Sequence, residues 1–241
     1  MTTSIFVRSY RADRFWLDYL LRSLQKFATG FSETVVCLPI GDEPHFEKTD
    51  FHGARVVWVQ DPDAHPYCSQ QVSKIEADSH CSADGILYLD SDCFLTAPMR
   101  PEMFCMGGKP IQLIRHWSSL DENSQQWREI TNGMIGFTPV FEHMACHPMI
   151  FDRRTLPLLR EVIQHTHKKP LREYVCTITD RKMSEFNALG AVAHRYQPFL
   201  YDWRIAYPEH DGYPRIVKQQ WSYQEGGVSR HEAEYERILA A

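Results

Sequence analysis

The feature that most constrains the fold is a short apolar run that ends in two aspartates. Four consecutive apolar residues, 86–89, lead directly into Asp90, Ser91 and Asp92. An uninterrupted apolar run of this length is typical of a strand that is buried on both faces of a parallel sheet. In open α/β sheets, ligands bind just beyond the carboxyl ends of the strands. The run therefore predicts an α/β fold with a polar site at that edge, built on Asp90 and Asp92.

The Asp-x-Asp spacing indicates a bound cation. In extended backbone, residues i and i+2 point to the same side, so Asp90 and Asp92 can converge while Ser91 faces away. Two such carboxylates repel one another unless a cation lies between them, and a hard divalent ion completes its shell with water and substrate phosphates. An acidic surface turn is the alternative interpretation. The apolar residues 93–95 favour the site, because a solvated turn is rarely flanked by apolar residues on both sides.

Residues 87–92 (LYLDSD) resemble the strand-then-Asp-x-Asp signature of the GT-A-fold, metal-dependent glycosyltransferases that use nucleotide sugars. The resemblance implies a Rossmann-like, mostly parallel sheet flanked by helices. It implies transfer of a hexosyl or pentosyl group from a nucleotide diphosphate sugar, with UDP as the expected nucleotide. It also implies Mn²⁺ or Mg²⁺ at Asp90 and Asp92, with Asp92 part of the catalytic machinery and Asp90 also facing the donor.

Apolar patterns elsewhere predict strands that alternate with helices. Short β-branched runs and longer segments with helical spacing follow one another, which is typical of βαβ units and a mostly parallel sheet. Ser69 and Ser184 are the predicted N-caps of two helices, and Ser229 with Glu232 forms a capping box for a third. We predict strands at 4–8, 34–38, 55–59, 86–89, 111–114 and 149–151, and helices at 12–27, 69–80, 156–166, from 183 and from 229.

Several polar residues are expected to bind the donor. Arg8 and Ser9 follow the first strand, and Lys74 lies in the helix before the Asp-x-Asp strand. By the resemblance, this loop and this helix contact the nucleoside and the diphosphate. The spacing of His143 and His147 also suits zinc. Because Pro148 and the strand after it would cut a helix short there, we instead expect His147 to line the donor-sugar pocket.

The resemblance also implies roles for later residues. A carboxylate at the head of a helix can face the donor sugar and take the proton of the acceptor hydroxyl, and Glu185 is the candidate for this catalytic base. A late histidine often joins the metal in this family. His194, His210 and His231 are the candidates, and we favour His210 or His231.

Length and composition bound the organisation of the chain. With 241 residues, a single domain over 1–241 is expected, with a nucleotide-binding half at 1–95 and an acceptor half at 96–241. The seven cysteines form no Cys-x-x-Cys pair, which suits reduced thiols. Neither an apolar stretch of about 18 residues nor a signal-peptide pattern is present, so we expect a cytoplasmic protein without a transmembrane segment.

The acceptor is left open by the sequence. Residues 42–92 hold eleven acids and three bases, whereas residues 152–182 hold eight bases and four acids. Together with the aromatic segment 115–148, where we expect the acceptor pocket, this basic stretch admits DNA. The acceptor is then a glycan, a lipid headgroup, a small molecule or hydroxymethylated pyrimidines in DNA. In the last case the chain would resemble viral transferases that glycosylate such DNA. A haloacid-dehalogenase-like phosphohydrolase, which also places Asp-x-Asp after an apolar strand, is the alternative reaction class.

Overall fold

The computed structural model describes residues 1–179, 182–207, 210–222 and 227–241. Arg181, one of the bases of the basic stretch, and residues 223–226 of the tail lie outside the described residues. The strands are β1 (Thr3–Arg8), β2 (Glu33–Pro39), β3 (Arg55–Val59), β4 (Gly85–Asp90), β5 (Cys93–Leu95), β6 (Cys105–Met106), β7 (Lys109–His116), β8 (Phe141–Glu142), β9 (Met149–Asp152), β10 (Asp202–Ile205) and β11 (Val217–Gln219). The α-helices are α1 (Arg14–Phe27), α2 (Pro66–Ile75), α3 (Arg128–Ile135), α4 (Thr155–His167), α5 (Leu171–Val175), α6 (Glu185–Tyr196) and α7 (Glu232–Ala240).

The central sheet has the strand order β3-β2-β1-β4-β9. The first four strands are parallel, and β9 adds an antiparallel edge to β4. Parallel strands need crossover connections, which α1 supplies between β1 and β2 and α2 supplies between β3 and β4. The predicted α/β class with a mostly parallel sheet flanked by helices is confirmed.

Both faces of the central sheet are covered, which explains the continuous apolar run in β4. Phe6, Tyr88 and Phe151 belong to the core cluster that includes residues of α2, α4 and α6. Ile5 and Leu87 belong to the cluster on the other face, which includes residues of α1. Because successive side chains of a strand point to opposite faces, a strand between two helical layers has no polar position. Polar residues therefore appear where β4 ends.

A second, smaller sheet lies in the later part of the chain. Its strand order is β10-β7-β6, with β8 paired to the end of β7. The segment that we expected to be loops, residues 115–148, contains β8 and α3. Strands of two residues such as β8 carry too few side chains for a periodic pattern, so the sequence did not indicate them.

A two-stranded ribbon brings the end of the chain to the Asp-x-Asp turn. β11 pairs antiparallel with β5, so that Gln219 lies opposite Cys93. α7 then packs on α1, and the ring of Tyr235 stacks on Phe94 of β5 with centroids 4.0 Å apart. Residues separated by about half of the chain are joined at this point, and the sequence pattern did not predict it.

Two predicted helix starts are wrong. α2 begins at Pro66 with His65 as its N-cap, and the hydroxyl of Ser69 donates to the carbonyl of Pro62 instead of capping. Proline suits the first helical position because that position needs no N–H donor. α7 begins at Glu232, after a 3₁₀ turn that contains Ser229. No helix in the described ranges is both long and apolar enough to cross a bilayer.

Candidate active site

The Asp-x-Asp motif lies at the carboxyl end of β4, as expected. Asp90 ends the strand, and the chain turns at Ser91 and Asp92 before β5 begins. The two carboxylates face a common neighbour, since the amide nitrogen of Gln219 lies 3.2 Å from Asp90 Oδ2 and 3.4 Å from Asp92 Oδ1. Ser91 faces away and donates its hydroxyl to Asp13 Oδ2 at 2.8 Å. The two carboxylates thus converge as predicted, but at a turn and not in the extended backbone from which the convergence was inferred.

Lys74 links the motif to a second carboxylate. Its ammonium lies 2.7 Å from Asp90 Oδ1 and 2.7 Å from Glu185 Oε1, and the side chain is only 5% exposed. Burial acts to lower the pKa of Lys74, but the charges of Asp90 and Glu185 outweigh it and raise that pKa above its usual value. Burial would raise the pKa of Asp90, and attraction by Lys74 and His147 instead holds it well below its usual range. Lys74 and Asp90 are therefore a charged pair.

Glu185 occupies the first turn of α6, where an acid is favoured by the helix dipole. Ser184 caps the helix by accepting a hydrogen bond from the amide of Asn187 at 3.2 Å, as predicted. Glu185 is buried, and the amide of Gln71, oriented to donate, lies 2.6 Å from its Oε1. Burial raises the pKa of Glu185, and the nearby charge of Lys74 opposes this increase only in part. A carboxylate in this state is a stronger base than one in water.

His147 lies on the other side of Asp90. Its Nε2 is 3.2 Å from Asp90 Oδ2, and its ring lies against Phe186 of α6, with centroids 5.8 Å apart. Its Nδ1 is buried and has no hydrogen-bond partner in the described structure. His147 precedes Pro148 at the entry to β9, which pairs with β4. The pairing of these two strands explains why a residue distant in sequence reaches the motif.

The pKa of Asp92 is shifted in the opposite direction to that of Asp90. It is 8% exposed, and burial together with the charge of Asp90 raises its pKa to about 6. The backbone amide of Ser222 donates to Asp92 Oδ2 at 3.0 Å and partly offsets these effects. A divalent cation binds carboxylates in their ionised form, so at and below about pH 6 its binding would be accompanied by proton loss from Asp92.

Arg8 and Ser9 lie at the same edge of the sheet. Arg8 is directly opposite Asp90 in the parallel register of β1 and β4. Its guanidinium donates to both oxygens of Asp61, at 2.8 and 2.9 Å, and also to the carbonyl of Ser9. Arg8 Nε and Ser9 Oγ are buried without a partner among the described residues. Arg8 is thus already paired with Asp61, and the donor-binding roles of Arg8 and Ser9 stay predictions.

The three late histidines lie in a turn and in aromatic clusters of the described structure. His210 is exposed in a turn, and His231 packs between Trp16 and Tyr235 at ring distances of 5.9 and 5.8 Å. His194 lies in another aromatic cluster. The metal roles of His210 and His231 stay predictions. The side chain that does meet both aspartates is Gln219, which no motif in the sequence marked.

Two other residues near the site were also missed. Tyr67 of α2 is close enough to Glu185 for that charge to add to the effect of burial, and together they raise the pKa of Tyr67 to about 12. A hydrogen bond with the side chain of Trp127 opposes the shift. Trp127 belongs to the segment expected to hold the acceptor, so this contact brings that segment to the site. Asp13 is the second residue that was missed. Its position after the first strand was the only indication of it in the sequence.

The oxygen ligands that the motif offers to a divalent metal are few. No group of three or more His, Cys, Asp or Glu side chains is arranged around a common point in the described parts of the chain. Asp90 and Asp92 do share one hydrogen-bond donor, the Gln219 amide, so an oxygen of each faces the same side chain. Rotation of that amide would turn its oxygen toward the aspartates and add a third oxygen ligand. Carboxylate and amide oxygens suit Mg²⁺ and Mn²⁺, so the residues fit such an ion.

Comparisons with known proteins agree with the fold. A family model described as a family of unknown function (DUF6492) matches residues 5–201. Galactosyltransferase LgtC in complex with donor and acceptor sugar analogs is similar in structure, with a TM-score of 0.54, 11% identity, and coverage of 98% of this chain and 95% of that chain. An active-site mutant of LgtC matches with a TM-score of 0.53, 11% identity and the same coverage. No curated protein matches the sequence. At this identity the likeness shows a glycosyltransferase-like fold alone.

Proposed function

The chain belongs to the DUF6492 family, a family of unknown function, and we propose that it transfers a sugar from a nucleotide diphosphate sugar to a hydroxyl acceptor. One observation carries the proposal. Lys74 bridges Asp90 and Glu185 with two contacts of 2.7 Å, at the carboxyl edge of a parallel sheet. Asp90, which would face the diphosphate, and Glu185, the candidate base, are thereby held at a fixed distance from each other. The fold around them resembles that of a glycosyltransferase.

The metal would be held by Asp90, Asp92 and Gln219. When bound, Mn²⁺ or Mg²⁺ would neutralise the charge that grows on the departing diphosphate, which makes the diphosphate a better leaving group. Lys74 keeps Asp90 ionised and oriented, so this ligand is ready before the donor arrives.

The donor would fill the edge between β1 and β9. Arg8 Nε, Ser9 Oγ and His147 Nδ1 are buried polar atoms without partners in the described structure. Such atoms are costly to leave unpaired, so a ligand that hydrogen-bonds to them gains affinity. A nucleotide sugar offers acceptor oxygens on phosphate and ribose for the arginine and serine donors. It also offers sugar hydroxyls for His147.

Glu185 would act as the base. Its carboxylate takes the proton of the acceptor hydroxyl while the acceptor oxygen bonds to C1 of the sugar, and the bond from C1 to the diphosphate breaks with its electron pair. The burial that raises the pKa of Glu185 makes it more basic, and Lys74 fixes its orientation. The acceptor would enter past Trp127 and Tyr67. An experiment then decides whether the acceptor is a glycan, a lipid, a small molecule or hydroxymethylated DNA.

The test is release of free nucleoside diphosphate from a panel of nucleotide sugars with Mn²⁺. Each donor is run alone, with glycan, lipid-headgroup and small-molecule acceptors, and with duplex DNA carrying hydroxymethylated pyrimidines. We expect metal-dependent release that one acceptor class stimulates. Failure of every donor to release its nucleotide would overturn the proposal and favour the phosphohydrolase alternative, which phosphatase assays then test.

Asp92→Asn is the matched variant for this test. It removes one carboxylate ligand at nearly constant volume, so turnover should fall by at least about 100-fold with an unchanged melting temperature. Asp63→Asn, at an exposed acid near the end of β3, is the control and should keep full turnover. Near-normal turnover of a folded Asp92→Asn variant would show that the metal assignment is wrong.

A further inference from the structure

We propose that Asp13 is a positioning residue, which holds Ser91 so that Asp90 and Asp92 face the same side. The inference rests on the proposed function for the metal that those carboxylates would bind. Asp13 touches neither of the predicted metal oxygens through a hydrogen bond in the described structure. Its effect would pass through Ser91, the middle residue of the motif.

The side chain of Asp13 is used in an unusual way. Aspartate just before a helix usually caps it by accepting a hydrogen bond from a backbone amide of the first turn. Asp13 has this position before α1, but its side chain makes no capping bond. Its Oδ2 accepts a hydrogen bond from the hydroxyl of Ser91 at 2.8 Å, although the two residues are 78 positions apart. The carboxylate, only 8% exposed, therefore serves the Asp-x-Asp turn and not its own helix.

Asp13 also reaches the end of the chain. Burial raises the pKa of Asp13, while hydrogen bonds from the side chains of Ser91, Ser222 and Tyr10 act in the opposite direction. Ser222 follows β11, and its backbone amide donates to Asp92 Oδ2 at 3.0 Å. One buried carboxylate thus joins the loop after β1, the turn after β4 and the segment after β11. These are the three segments that surround Asp92.

The bond to Ser91 has a geometric consequence. The hydrogen bond to Asp13 holds the turn at Ser91, and with it the side chains of Asp90 and Asp92 on either side of Ser91. There both carboxylates meet the amide of Gln219, at 3.2 and 3.4 Å. Removal of a residue that orients a metal ligand typically weakens metal binding by roughly 10–100-fold. Asp13 and Ser91 should each have an effect of that size, and both should act through the same bond.

The experiment is a double-mutant cycle read by Mn²⁺ affinity. Calorimetric titration gives the Mn²⁺ dissociation constant of wild type, Asp13→Ala, Ser91→Ala and the double variant. Each single variant should bind Mn²⁺ roughly 10–100-fold more weakly than wild type. The double variant should bind Mn²⁺ no more weakly than the weaker-binding of the two single variants. Asp13→Asn keeps an acceptor oxygen for Ser91 and should stay within about threefold of wild type, and Asp63→Ala should match wild type.

Three results would overturn the positioning role. These are an Asp13→Ala variant with lower thermal stability but normal Mn²⁺ affinity, additive losses in the double variant, and an Asp13→Asn loss as large as that of Asp13→Ala. The last result would mean that the charge acts on the metal directly, because the hydrogen bond to Ser91 survives in that variant.

Amide hydrogen exchange separates this inference from the proposed function. If wild type binds no Mn²⁺, the metal assignment fails, and exchange over residues 90–95 still tests the tether. Faster exchange there in Asp13→Ala than in wild type and Asp63→Ala supports the positioning role. Unchanged exchange over this segment overturns it.

Discussion

At the residue scale, Lys74 offsets part of the negative charge of the candidate site. Asp90, Asp92, Asp13 and Glu185 are acids that are buried or half-buried, and Lys74 contacts two of them. A buried ion pair is weak support for stability when intact, but removal of one partner leaves an uncompensated buried charge. Asp90 contacts Lys74 and its pKa is lowered, whereas burial and the charge of Asp90 raise the pKa of Asp92 to about 6.

Lys74→Met should therefore be strongly destabilising. We expect the free energy of unfolding at pH 7 to fall by about 3–5 kcal/mol, because Asp90 and Glu185 lose their common cation. Urea unfolding measures the change. Adding Glu185→Gln to Lys74→Met should recover part of the loss, since one of the uncompensated charges is then absent. Lys48→Met, at an exposed lysine, should stay within about 0.5 kcal/mol of wild type. A loss under 1 kcal/mol for Lys74→Met would contradict the buried-pair description.

At the element scale, close approach of α6 to the segment around β8 positions Glu185. Gly190 lies in the middle of α6, and a Cβ atom there would overlap the Cβ and Cγ atoms of the buried His143. The amide of His143 also donates to Asn187 Oδ1 at 2.8 Å. The glycine thus allows the helix that carries Glu185 to pack directly on this segment.

Gly190→Ala and Gly133→Ala form a matched pair of helical substitutions. Gly190→Ala should destabilise by about 1–3 kcal/mol, because the new methyl group overpacks against His143. Gly133 of α3 has open space around it, so Gly133→Ala should stabilise by about 0.4–1 kcal/mol through the lower entropy of the unfolded chain. Thermal unfolding of both variants measures the difference. Equal shifts of the two melting temperatures would show that the close approach is absent.

The amino-terminal edge of the sheet is built for stability, at the end opposite the candidate site. Glu33 at the start of β2 accepts hydrogen bonds from Ser4, Ser82 and Arg55. Burial would raise the pKa of Glu33, but the hydrogen bonds from Ser82 and Arg55 outweigh it and lower the pKa from 4.5 to about 2. One carboxylate therefore connects β1, β2, β3 and the loop before β4.

The lowered pKa of Glu33 gives a pH dependence with a defined sign. A carboxylate with a depressed pKa in the folded state contributes stability above about pH 4.5, and this contribution is lost as the pH falls toward 2. Between pH 5 and pH 3, wild type should lose about 1 kcal/mol more than Glu33→Gln, a modest figure because the pair lies near the surface. Urea unfolding at both pH values checks this. The exposed Glu47→Gln should follow wild type, and parallel pH profiles for wild type and Glu33→Gln would contradict the assignment.

On the scale of the whole molecule, ion pairs between the two halves offset part of their opposite charges. The acids of the first part and the bases of the later part form ion pairs across the fold, with Arg160 2.6 Å from Asp78 and Arg172 2.6 Å from Glu76. The charge asymmetry that suggested an anionic partner for the basic stretch is thus partly satisfied inside the molecule. The division into a nucleotide-binding half and an acceptor half stays a prediction, and the candidate site takes residues from both.

Metal and nucleotide should stabilise the molecule together. Excess acids attract a cation but repel a diphosphate, so UDP should bind well only with Mn²⁺ present. At about 100 times the dissociation constant, binding adds about 2.7 kcal/mol, which raises the melting temperature of a chain of this size by roughly 5–10 °C. Thermal scans with Mn²⁺, UDP, both and neither measure this. Equal stabilisation by UDP with and without Mn²⁺ would contradict the cooperative site.

Local patterns in the sequence determined the first half of the fold. Strands β1 to β4 and helix α1 follow from apolar periodicity, which depends only on neighbouring residues. The place of the Asp-x-Asp motif at the end of β4 followed in the same way, although Ser91 and Asp92 form a turn and do not continue the extended strand from which the convergence of the carboxylates was inferred. The cap of Ser184 on α6 is also local, since its hydrogen bond spans three residues.

Tertiary structure alone decided which side chains meet the motif. Gln219 and Asp13 reach it through the pairing of β11 with β5 and through a bond across 78 positions, and such contacts leave no periodic trace in the sequence. The same holds for Lys74, whose place in α2 was predicted but whose two carboxylate partners were not. The observed starts of α2 and α7 differ from the predicted ones. Pro66 begins α2 ahead of Ser69, and Ser229 lies in a 3₁₀ turn before α7. Periodicity records which face of an element is buried, whereas the identity of its partner depends on how distant segments pack.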